Sequence, residues 1–362
     1  MKLDNFPNND VIDAYYKCRT YLSNHKNIMV SYSGGADSDI VIDFVIKTLE
    51  DKHYKDLLKN KNIRFVFYDT GIEYDATKRH IDEVEKKYGI EIERIKAEIP
   101  VPLGCKEYGL PFLSKFASEM IERLQKHNFD FKNDGWKSFE ELKEKYPKAV
   151  CALAWWCNTY PARAGKVSTF NINAFKYLKD FMIENPPDFK ISNKCCKGAK
   201  KDPSKEYQKK NKIDLKILGL RKAEGGIRTA AIKSCFREGG KYKVDEYFPI
   251  WWFTDDTKEQ YKSLCGIKYS DCYEKYGFKR TGCAGCPFSS KFDEELEEIK
   301  QHEPKLYIAI NNIFGKSYEY TRKYKKYKEE MKDKFRKTKK KTPENVILEN
   351  QISIFDKQTK NT

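Results

Sequence analysis

The chain has 362 residues, of which 40% are hydrophobic and 34% are charged, and its formal net charge is +16. This composition suits a globular protein with one large core or two domains, and no apolar run approaches the roughly 20 residues that a membrane span requires. The N-terminal "MKLDNFPNND" lacks an apolar secretory segment, so we expect a cytoplasmic protein with no membrane partner. Its eleven cysteines are then metal ligands, reactive thiols or buried side chains rather than disulfides.

The first third of the chain alternates strand-like and helix-like segments. In chain order they are residues 28–31, 37–49, 63–68, 77–88 and 92–95, beginning with a strand. Apolar strands that alternate with helices at this spacing are typical of parallel βαβ units. The sequence therefore predicts an α/β fold with a Rossmann-like parallel sheet and flanking helices.

The middle and the end of the chain carry weaker strand signals. Residues 126–190 show no clear strand and predict a mostly helical insertion. Further strands or extended segments are predicted at 215–220 and 247–254, and further helices from Thr254, over 293–301 and over 318–335. Pro304 is expected to separate the last two helices, because proline cannot continue a helix interior.

A glycine turn joins the first predicted strand to the first predicted helix, in the segment "SGGADS" at 33–38. Glycines let the backbone approach an anion closely, and the exposed amides and dipole of a helix N-terminus favour negative charge. Ser33 and Ser38 can add hydroxyl donors, and Asp37 can cap the helix or hold Mg²⁺. An ordinary capped strand–helix connection is the alternative, but this pattern favours a phosphate site.

Residues 33–38 resemble the pyrophosphate loop of the adenine-nucleotide α-hydrolase superfamily, whose members hold the β,γ-pyrophosphate of ATP there. The segment "YDTGIEY" (68–74) resembles the next signature of the phosphoadenosine-phosphosulfate (PAPS) reductase branch. Similarity continues in the family's order through "YGLPFLSK", "NKCCKGAKKDPSKEY", "ILGLRKAEGGIR", "PIWWFT" and "RTGCAGCPF". The resemblance implies an adenine nucleotide α-hydrolase-like fold with a nucleotide at the carboxyl ends of the strands.

The resemblance also implies which side chains meet the nucleotide. The implied catalytic residues are Ser33, Asp37 and Ser38. The implied nucleotide-binding residues are Ser31, Ser33, Gly34, Gly35, Asp37, Ser38, Asp69, Thr70, Gly71, Gly219, Arg221 and Arg228. Arginine suits a bidentate grip on phosphate or sulfate, and a surface salt bridge is the alternative for Arg221 and Arg228.

Two cysteine pairs stand out, Cys195 with Cys196 and the CxxC of Cys283 with Cys286. Four thiolates can hold zinc or an iron–sulfur cluster, and CxxC alone does not decide between them. Adenylyl-sulfate reductases of this family bind a [4Fe-4S] cluster with a similar set, and the resemblance implies that these four are its ligands. Structural zinc and unliganded buried thiols are the alternatives. Other cysteines that could replace one ligand are Cys272, Cys265, Cys151 and Cys157.

The expected reaction follows from two features of the sequence, the intact glycine loop and the missing C-terminal cysteine. Reductases of this family use a nucleophilic cysteine in a C-terminal segment, but no cysteine follows Cys286 here. The intact loop instead predicts a Mg²⁺-dependent cleavage of ATP to AMP and pyrophosphate that adenylates a substrate, followed by sulfur transfer. A persulfide on Cys151, Cys157 or Cys235, or the cluster, would bring the sulfur. The alternatives are a sulfonucleotide reductase that releases sulfite and a non-catalytic, nucleotide-sensing DNA-binding regulator.

The predicted partners depend on the basic end of the chain. Residues 316–341 hold 13 Lys and Arg against 4 Asp and Glu, which fits either a solvated helix or contacts with tRNA or DNA phosphates. A cysteine desulfurase or another sulfur donor is a further expected partner, and a homo-oligomer is left open. The predicted domains are a nucleotide-binding half at 1–125, the helical insertion at 126–190, a second α/β half with the cysteine site at 191–300, and a basic helical extension at 301–362.

Overall fold

A mixed β-sheet forms the centre of one part of the molecule. The computed structural model describes residues 8–51, 59–161, 168, 170–225, 229, 231–240 and 244–340. The strands are β1 (Asn27–Tyr32), β2 (Asn62–Asp69), β3 (Ile92–Lys96), β4 (Leu215–Leu218), β5 (Phe236–Arg237) and β6 (Asp245–Tyr247). Their order is β3-β2-β1-β4-β6-β5, and the pairs are parallel except for β5 with β6. The predicted Rossmann-like parallel sheet is thus confirmed, with an antiparallel strand at one edge.

The central strand is buried on both faces. Ile28, Met29 and Val30 of β1 are inaccessible to solvent, and β1 pairs with β2 on one side and with β4 on the other. A continuous apolar run is what a strand covered by helices on both faces requires. The functional loop that follows β1 is therefore anchored in the best-packed part of the sheet.

Helices surround this sheet and also build the rest of the molecule. They are α1 (Asn9–Asn24), α2 (Ala36–Leu49), α3 (Asp75–Tyr88), α4 (Val101–Tyr108), α5 (Lys115–Lys126), α6 (Phe139–Lys145), α7 (Val150–Trp156), α8 (Leu178–Glu184), α9 (Asp202–Lys210), α10 (Asp255–Cys265), α11 (Asp271–Glu274), α12 (Phe292–His302) and α13 (Pro304–Lys340). Thr254 caps α10 by accepting a hydrogen bond from the Thr257 amide at 3.1 Å, as its position before two aspartates predicts. Pro304 begins α13, so the predicted break between the last two helices is confirmed. Along the described ranges, no helix has both the length and the apolar character to cross a membrane.

The chain forms two compact units. The first joins Met1–Pro111 to Asn193–Phe314 and contains the sheet, while the second joins Phe112–Ser192 to Gly315–Thr362. The core of the second unit buries Trp155, Trp156 and Phe181. The described residues between 126 and 190 contain helices joined by turns and no β-strand, and the four predicted domains stay a prediction.

Tyrosines of α13 fasten the C-terminal helix to the second unit. The hydroxyls of Tyr320 and Tyr324 donate to the carbonyls of Asn185 and Lys176 at 2.7 and 2.8 Å. The rings of both tyrosines lie against Phe181. This side of the basic helix is therefore structural.

Candidate nucleotide and cysteine site

The loop between β1 and α2 has the backbone of an anion site. Gly34 has a φ of +67°, a conformation that L side chains rarely adopt, and a Cβ there would lie 2.5 Å from the Thr77 Cγ2 atom of α3. Gly35 is the N-cap of the 14-residue helix α2. The first backbone amides of this helix, which have no partner within the helix, therefore lie at the loop. The two glycines therefore allow a sharp turn that a larger residue at position 34 would obstruct.

The Ser38 hydroxyl holds the loop in shape from inside. It accepts hydrogen bonds from the Gly35 and Ser33 amides at 3.1 and 3.3 Å and donates to the Gly35 carbonyl at 2.7 Å. Ser38 is buried, whereas Ser33 is exposed and its hydroxyl lies 3.1 Å from that of Ser38. In this arrangement Ser38 organises the turn, and Ser33 is the serine that faces solvent.

Two further hydroxyls stand at the opening of the loop, and sequence reasoning missed both. A Cβ on Gly35 would lie 3.0 Å from the Tyr273 hydroxyl and 3.2 Å from the Thr281 hydroxyl. The Tyr273 oxygen accepts from the Ala36 and Thr281 amides, and burial raises the pKa of its hydroxyl, so it stays protonated. The two groups add neutral hydrogen-bond donors at the helix N-terminus. Only the position of Thr281, two residues before the CxxC, gave any signal in the sequence.

Asp37 brings two cations to the loop. Its carboxylate accepts from Arg221 Nε at 3.2 Å and lies 2.9 Å from Lys258 Nζ. Burial opposes the charge of Arg221, but Asp37 and Asp255 outweigh it, and the pKa of the guanidinium is raised. A Cβ on Gly219 would lie 3.0 Å from the Asp37 carbonyl carbon, so glycine lets the segment after β4 approach the loop. Gly219 and Arg221 thus meet the loop, as the resemblance implies, and Lys258 is an addition.

The other residues that the resemblance implies for nucleotide binding lie on β1, in the turn after β2 or outside the described residues. Ser31 lies on β1 between Val66 and Leu218. Asp69 accepts from the Gly71 amide at 2.8 Å and so shapes the turn after β2. Thr70 is fully buried and donates to Glu73 at 2.6 Å. Arg228 lies outside the described residues.

A buried polar bridge lies below the loop and joins α2 to α3. The Asp39 carboxylate accepts from the Tyr32 hydroxyl at 2.6 Å and lies 3.0 Å from His80 Nε2. Burial lowers the pKa of His80, but its contact with Asp39 more than offsets this, and the pKa is raised. Burial also raises the pKa of Asp39. The contact between His80 and Asp39 therefore helps to fix the helix that follows the loop.

The structure gathers both cysteine pairs and adds one more cysteine. Cys195 hydrogen-bonds to Cys196 and to Cys105 of α4, and it also interacts with Cys286. Cys283 lies near Cys196. The backbone of Gly104 permits this approach, since a Cβ there would lie 3.2 Å from the Cys195 Cα atom. No motif spacing marks Cys105 in the sequence, and sequence reasoning missed it.

A lysine and two polar side chains complete this cysteine group. Burial lowers the pKa of Lys200, but Cys283 and Glu73 more than offset this, and the pKa is raised. Burial raises the pKa of the Cys283 thiol, while the charge of Lys200 and the nearby Thr70 side chain oppose the rise. Lys200 is therefore a cation at the thiols.

The thiols suit a metal group by their chemistry. Thiolates are the ligands that zinc and iron–sulfur clusters prefer, and a nearby lysine offsets their negative charge. Among the residues that the structure describes, no three His, Cys, Asp or Glu side chains converge on one metal position. The sulfurs are thus neighbours, and the assignment of Cys195, Cys196, Cys283 and Cys286 as ligands remains a prediction.

The other cysteines considered as ligands or sulfur carriers lie elsewhere. Cys272 is buried beside the Thr77 hydroxyl, at 3.8 Å, and Cys265 contacts Lys47. Cys235 is buried, with Lys17 nearby. The remaining two, Cys151 and Cys157, belong to the second compact unit.

The loop and the cysteine group are connected through short segments. Thr281 touches the loop, and Cys283 follows it by two residues. The Ala284 amide donates to the Ile72 carbonyl at 2.9 Å, so the CxxC is also tied to the turn after β2. The glycine loop and the cysteine group therefore share one framework in the first compact unit.

Comparisons with known proteins place the chain in a family. The family model of the phosphoadenosine phosphosulfate reductase domain matches residues 27–150 and 158–289. An uncharacterized protein of Methanocaldococcus jannaschii is 25% identical over 311 residues, which cover 86% of this chain. The match spans only 45% of that relative's length.

Solved structures of several enzymes also resemble the chain in part. A PAPS reductase from Candida auris, as its phosphate complex, has a TM-score of 0.39 and 11% identity, covering 75% of this chain and 87% of that one. The U34-tRNA thiolase NcsA from Methanococcus maripaludis, with its [4Fe-4S] cluster, has a TM-score of 0.34 and 14% identity, covering 88% and 79%. An NH₃-dependent NAD synthetase from Campylobacter jejuni has a TM-score of 0.29 and 10% identity, covering 86% and 96%. The match to the family model includes the glycine loop, the turn after β2 and both cysteine pairs. By this match the chain belongs to the phosphoadenosine phosphosulfate reductase domain family.

Proposed function

We propose that the protein binds ATP at the β1–α2 loop and cleaves it to AMP and pyrophosphate, so that an acceptor becomes adenylated for sulfur transfer. Family membership supports the use of a nucleotide. The observation that carries the proposal is the complete loop, with a left-handed Gly34, a buried Ser38 and the opened N-terminus of α2. A sulfonucleotide has no β,γ-pyrophosphate, so a reductase has little use for such a loop.

The charges around the loop suit a pyrophosphate leaving group. The hydroxyls of Tyr273 and Thr281 and the amides of α2 are neutral donors, while Arg221 and Lys258 are cations held at Asp37. Preorganised donors and cations are most effective where negative charge develops during a reaction. Magnesium would enter with ATP, and the Asp37 carboxylate is the anionic group at the loop that can meet it.

The proposed reaction has two balanced steps. An acceptor oxygen attacks the α-phosphorus, the bond from that phosphorus to the bridging oxygen breaks, and pyrophosphate leaves with the electron pair. A sulfur nucleophile then forms a bond to the acceptor carbon as the carbon–oxygen bond breaks, and AMP leaves with that oxygen. The loop residues would act in the first step, and the cysteine group, whose CxxC begins two residues after Thr281, would serve the second.

The cysteine group would hold a [4Fe-4S] cluster or, as the alternative, zinc. When bound, a cluster supplies iron that can carry sulfur, whereas zinc would stabilise the fold. Lys200 offsets the charge of the thiolates, and the Thr70 side chain lies beside Cys283. Iron and zinc analysis of protein purified without oxygen separates the two.

The decisive experiment is an assay of AMP and pyrophosphate formation from Mg-ATP, with and without tRNA or DNA. We expect Asp37→Asn to lower the rate by about tenfold to hundredfold, the usual cost of one charge-assisted contact. The matched control is Asp13→Asn, which removes a carboxylate of an exposed ion pair with Lys17 on α1. Equal rates in the two variants would contradict the proposal.

Two other results of these assays would identify the alternative functions. Sulfite release from adenylyl sulfate or PAPS with a thiol donor, and no pyrophosphate from ATP, would indicate a reductase. ATP and DNA binding without turnover would indicate a regulator.

A further inference from the structure

Trp252 presents an exposed aromatic ring that the proposed reaction does not use. It belongs to the segment "PIWWFT", in which Trp251 and Phe253 are each 1% exposed, whereas Trp252 is 40% exposed. The ring of Trp252 meets that of Trp251 edge-on, with centroids 6.3 Å apart, so a buried neighbour supports it. A large flat side chain is thus held in place with much of its surface open to solvent.

Arg221 ties this segment to the glycine loop. Its Nη1 atom donates to the Phe253 carbonyl at 3.4 Å, and its Nε atom donates to the Asp37 carboxylate at 3.2 Å. The backbone amide of the next residue, Lys222, donates to the Trp251 carbonyl at 2.8 Å. The exposed indole therefore lies on a segment whose backbone is fixed against the loop.

Two exposed cations accompany the ring near the loop. Lys222 Nζ lies 4.8 Å from the centroid of the Trp252 ring, which is a cation–π distance. Arg280 precedes Thr281, which borders the loop, and its guanidinium lies 3.9 Å from Glu224 in the turn that carries Lys222. Both cations are exposed, and they belong to the two segments that approach the loop.

The combination of one ring with cations indicates the kind of partner. A protein-docking surface is a contiguous apolar patch, whereas this ring has buried neighbours in the chain and a lysine over it. The loop amides, Arg221 and Lys258 already serve the phosphates of ATP in the proposed reaction. Cations outside the loop are therefore available for other phosphates. A single-stranded nucleic acid supplies those phosphates together with bases that stack on an aromatic side chain.

We propose that Trp252 is a stacking platform for an unpaired base of a nucleic-acid strand, and that Lys222 and Arg280 contact the phosphates beside that base. The role of this strand as the acceptor rests on the proposed function, whereas its binding does not. The substrate class is an unpaired nucleobase within a polynucleotide, because a base in a duplex has its faces covered by its neighbours.

The test measures strand binding by the full chain, without ATP, through fluorescence anisotropy. The probes are a labelled single strand of about 12 nucleotides, as RNA and as DNA, and a fully paired duplex of the same sequence. Trp252→Ala should weaken single-strand binding by about tenfold, the usual loss for one stacked base, and leave duplex binding unchanged. Trp252→Phe keeps an aromatic ring and should retain most of the affinity. A loss with either the RNA or the DNA strand supports the proposal.

Trp136→Ala is the matched control for this substitution. Trp136 is 66% exposed, carries Lys179 Nζ at 5.5 Å from its ring, and belongs to the second compact unit. This variant should bind the single strand as the wild type does. Four results would each overturn the proposal: unchanged binding in Trp252→Ala, an equal loss in Trp136→Ala, an equal loss for the duplex, or no single-strand binding by the wild type.

The two cations have a test of their own. Changing Lys222 and Arg280 together to glutamine should weaken single-strand binding and reduce its dependence on salt, because fewer counterions are released. An unchanged salt dependence would contradict their assignment to the phosphates.

Calorimetric titration with Mg-ATP separates this proposal from the proposed function. Trp252→Ala should bind ATP as the wild type does, whereas a loss of ATP binding with unchanged strand binding would assign the ring to the adenine of ATP and overturn the proposal. A wild-type protein that binds the strand through Trp252 but forms no pyrophosphate would contradict the proposed function alone.

Discussion

Position 34 shows how one residue decides the geometry of the loop. Two separate constraints act there, a left-handed backbone and the Thr77 methyl group, which would lie 2.5 Å from any Cβ. The sequence predicts the glycine turn from its neighbours in the chain, but the second constraint comes from α3. Glycine is therefore needed both for the turn and for the close packing of α3 on it.

Substitution of Gly34 tests these two constraints separately. We expect Gly34→Ala to lower the free energy of unfolding by about 2–4 kcal/mol, from backbone strain and overpacking together. Gly89→Ala is the control, since Gly89 has a φ of +62° with open space around it, and should cost about 1–2 kcal/mol. Adding Thr77→Ser to Gly34→Ala removes the methyl group and should recover about 1 kcal/mol or more in urea titrations. No recovery would mean that the methyl contact is unimportant.

Tyr273 is a second residue whose role at the loop can be measured, through the contribution of its hydroxyl to ATP binding. It accepts from the Ala36 and Thr281 amides and shares a hydrogen bond of 2.9 Å with the Thr281 hydroxyl at the opening of the loop. We expect Tyr273→Phe to weaken ATP binding by about tenfold in calorimetry, because one donor to a charged acceptor is lost. Tighter binding would show instead that the hydroxyl obstructs the loop.

At the scale of the elements, local patterns were sufficient for most of the sheet and the helix starts. The apolar runs of the sequence predict β1, β2 and β3, and Thr254 predicts the start of α10 as its N-cap. The antiparallel β5 has only two residues, too few for any periodicity, and was not predicted. Long-range packing, rather than propensity, forms such a strand.

The bridge between α2 and α3 makes stability depend on pH. The pKa of His80 is raised in the folded protein, so its contribution is complete below the unfolded value of about 6.5 and is lost as the pH rises through the folded value. The thermal midpoint should therefore fall as the pH increases above about 6.5, and His80→Gln should flatten this part of the curve. Parallel curves for the two proteins would contradict the assignment.

At the scale of the whole molecule, the candidate site combines segments that no motif relates. The glycine loop and the two cysteine pairs could be predicted, since their residue types and spacing are specific. Cys105, Lys200 and Tyr273 could not, because each meets the site through the tertiary fold and has no local signature. Function in this chain therefore depends on contacts that only the three-dimensional arrangement provides.

The exposed side of α13 offers a test of nucleic-acid binding. Its tyrosines face the core of the second unit, while Arg322, Lys323 and Lys326 are exposed. Changing these three to glutamate should weaken tRNA or DNA binding and reduce the dependence of the binding constant on salt.

The matched control for that triple variant is a set of exposed lysines on α9. These are Lys205, Lys209 and Lys210, changed to glutamate in the same way. Filter binding at several salt concentrations compares the two proteins with the wild type. A similar loss in both would point to net charge rather than to the C-terminal helix.

Thr281 and Cys283 are two peptide units apart: Thr281 borders the glycine loop, and Cys283 belongs to the cysteine group. The Ala284 amide ties the same segment to the turn after β2. A change in the chemical state of the thiols, such as their oxidation, would therefore act directly on the segment that borders the loop.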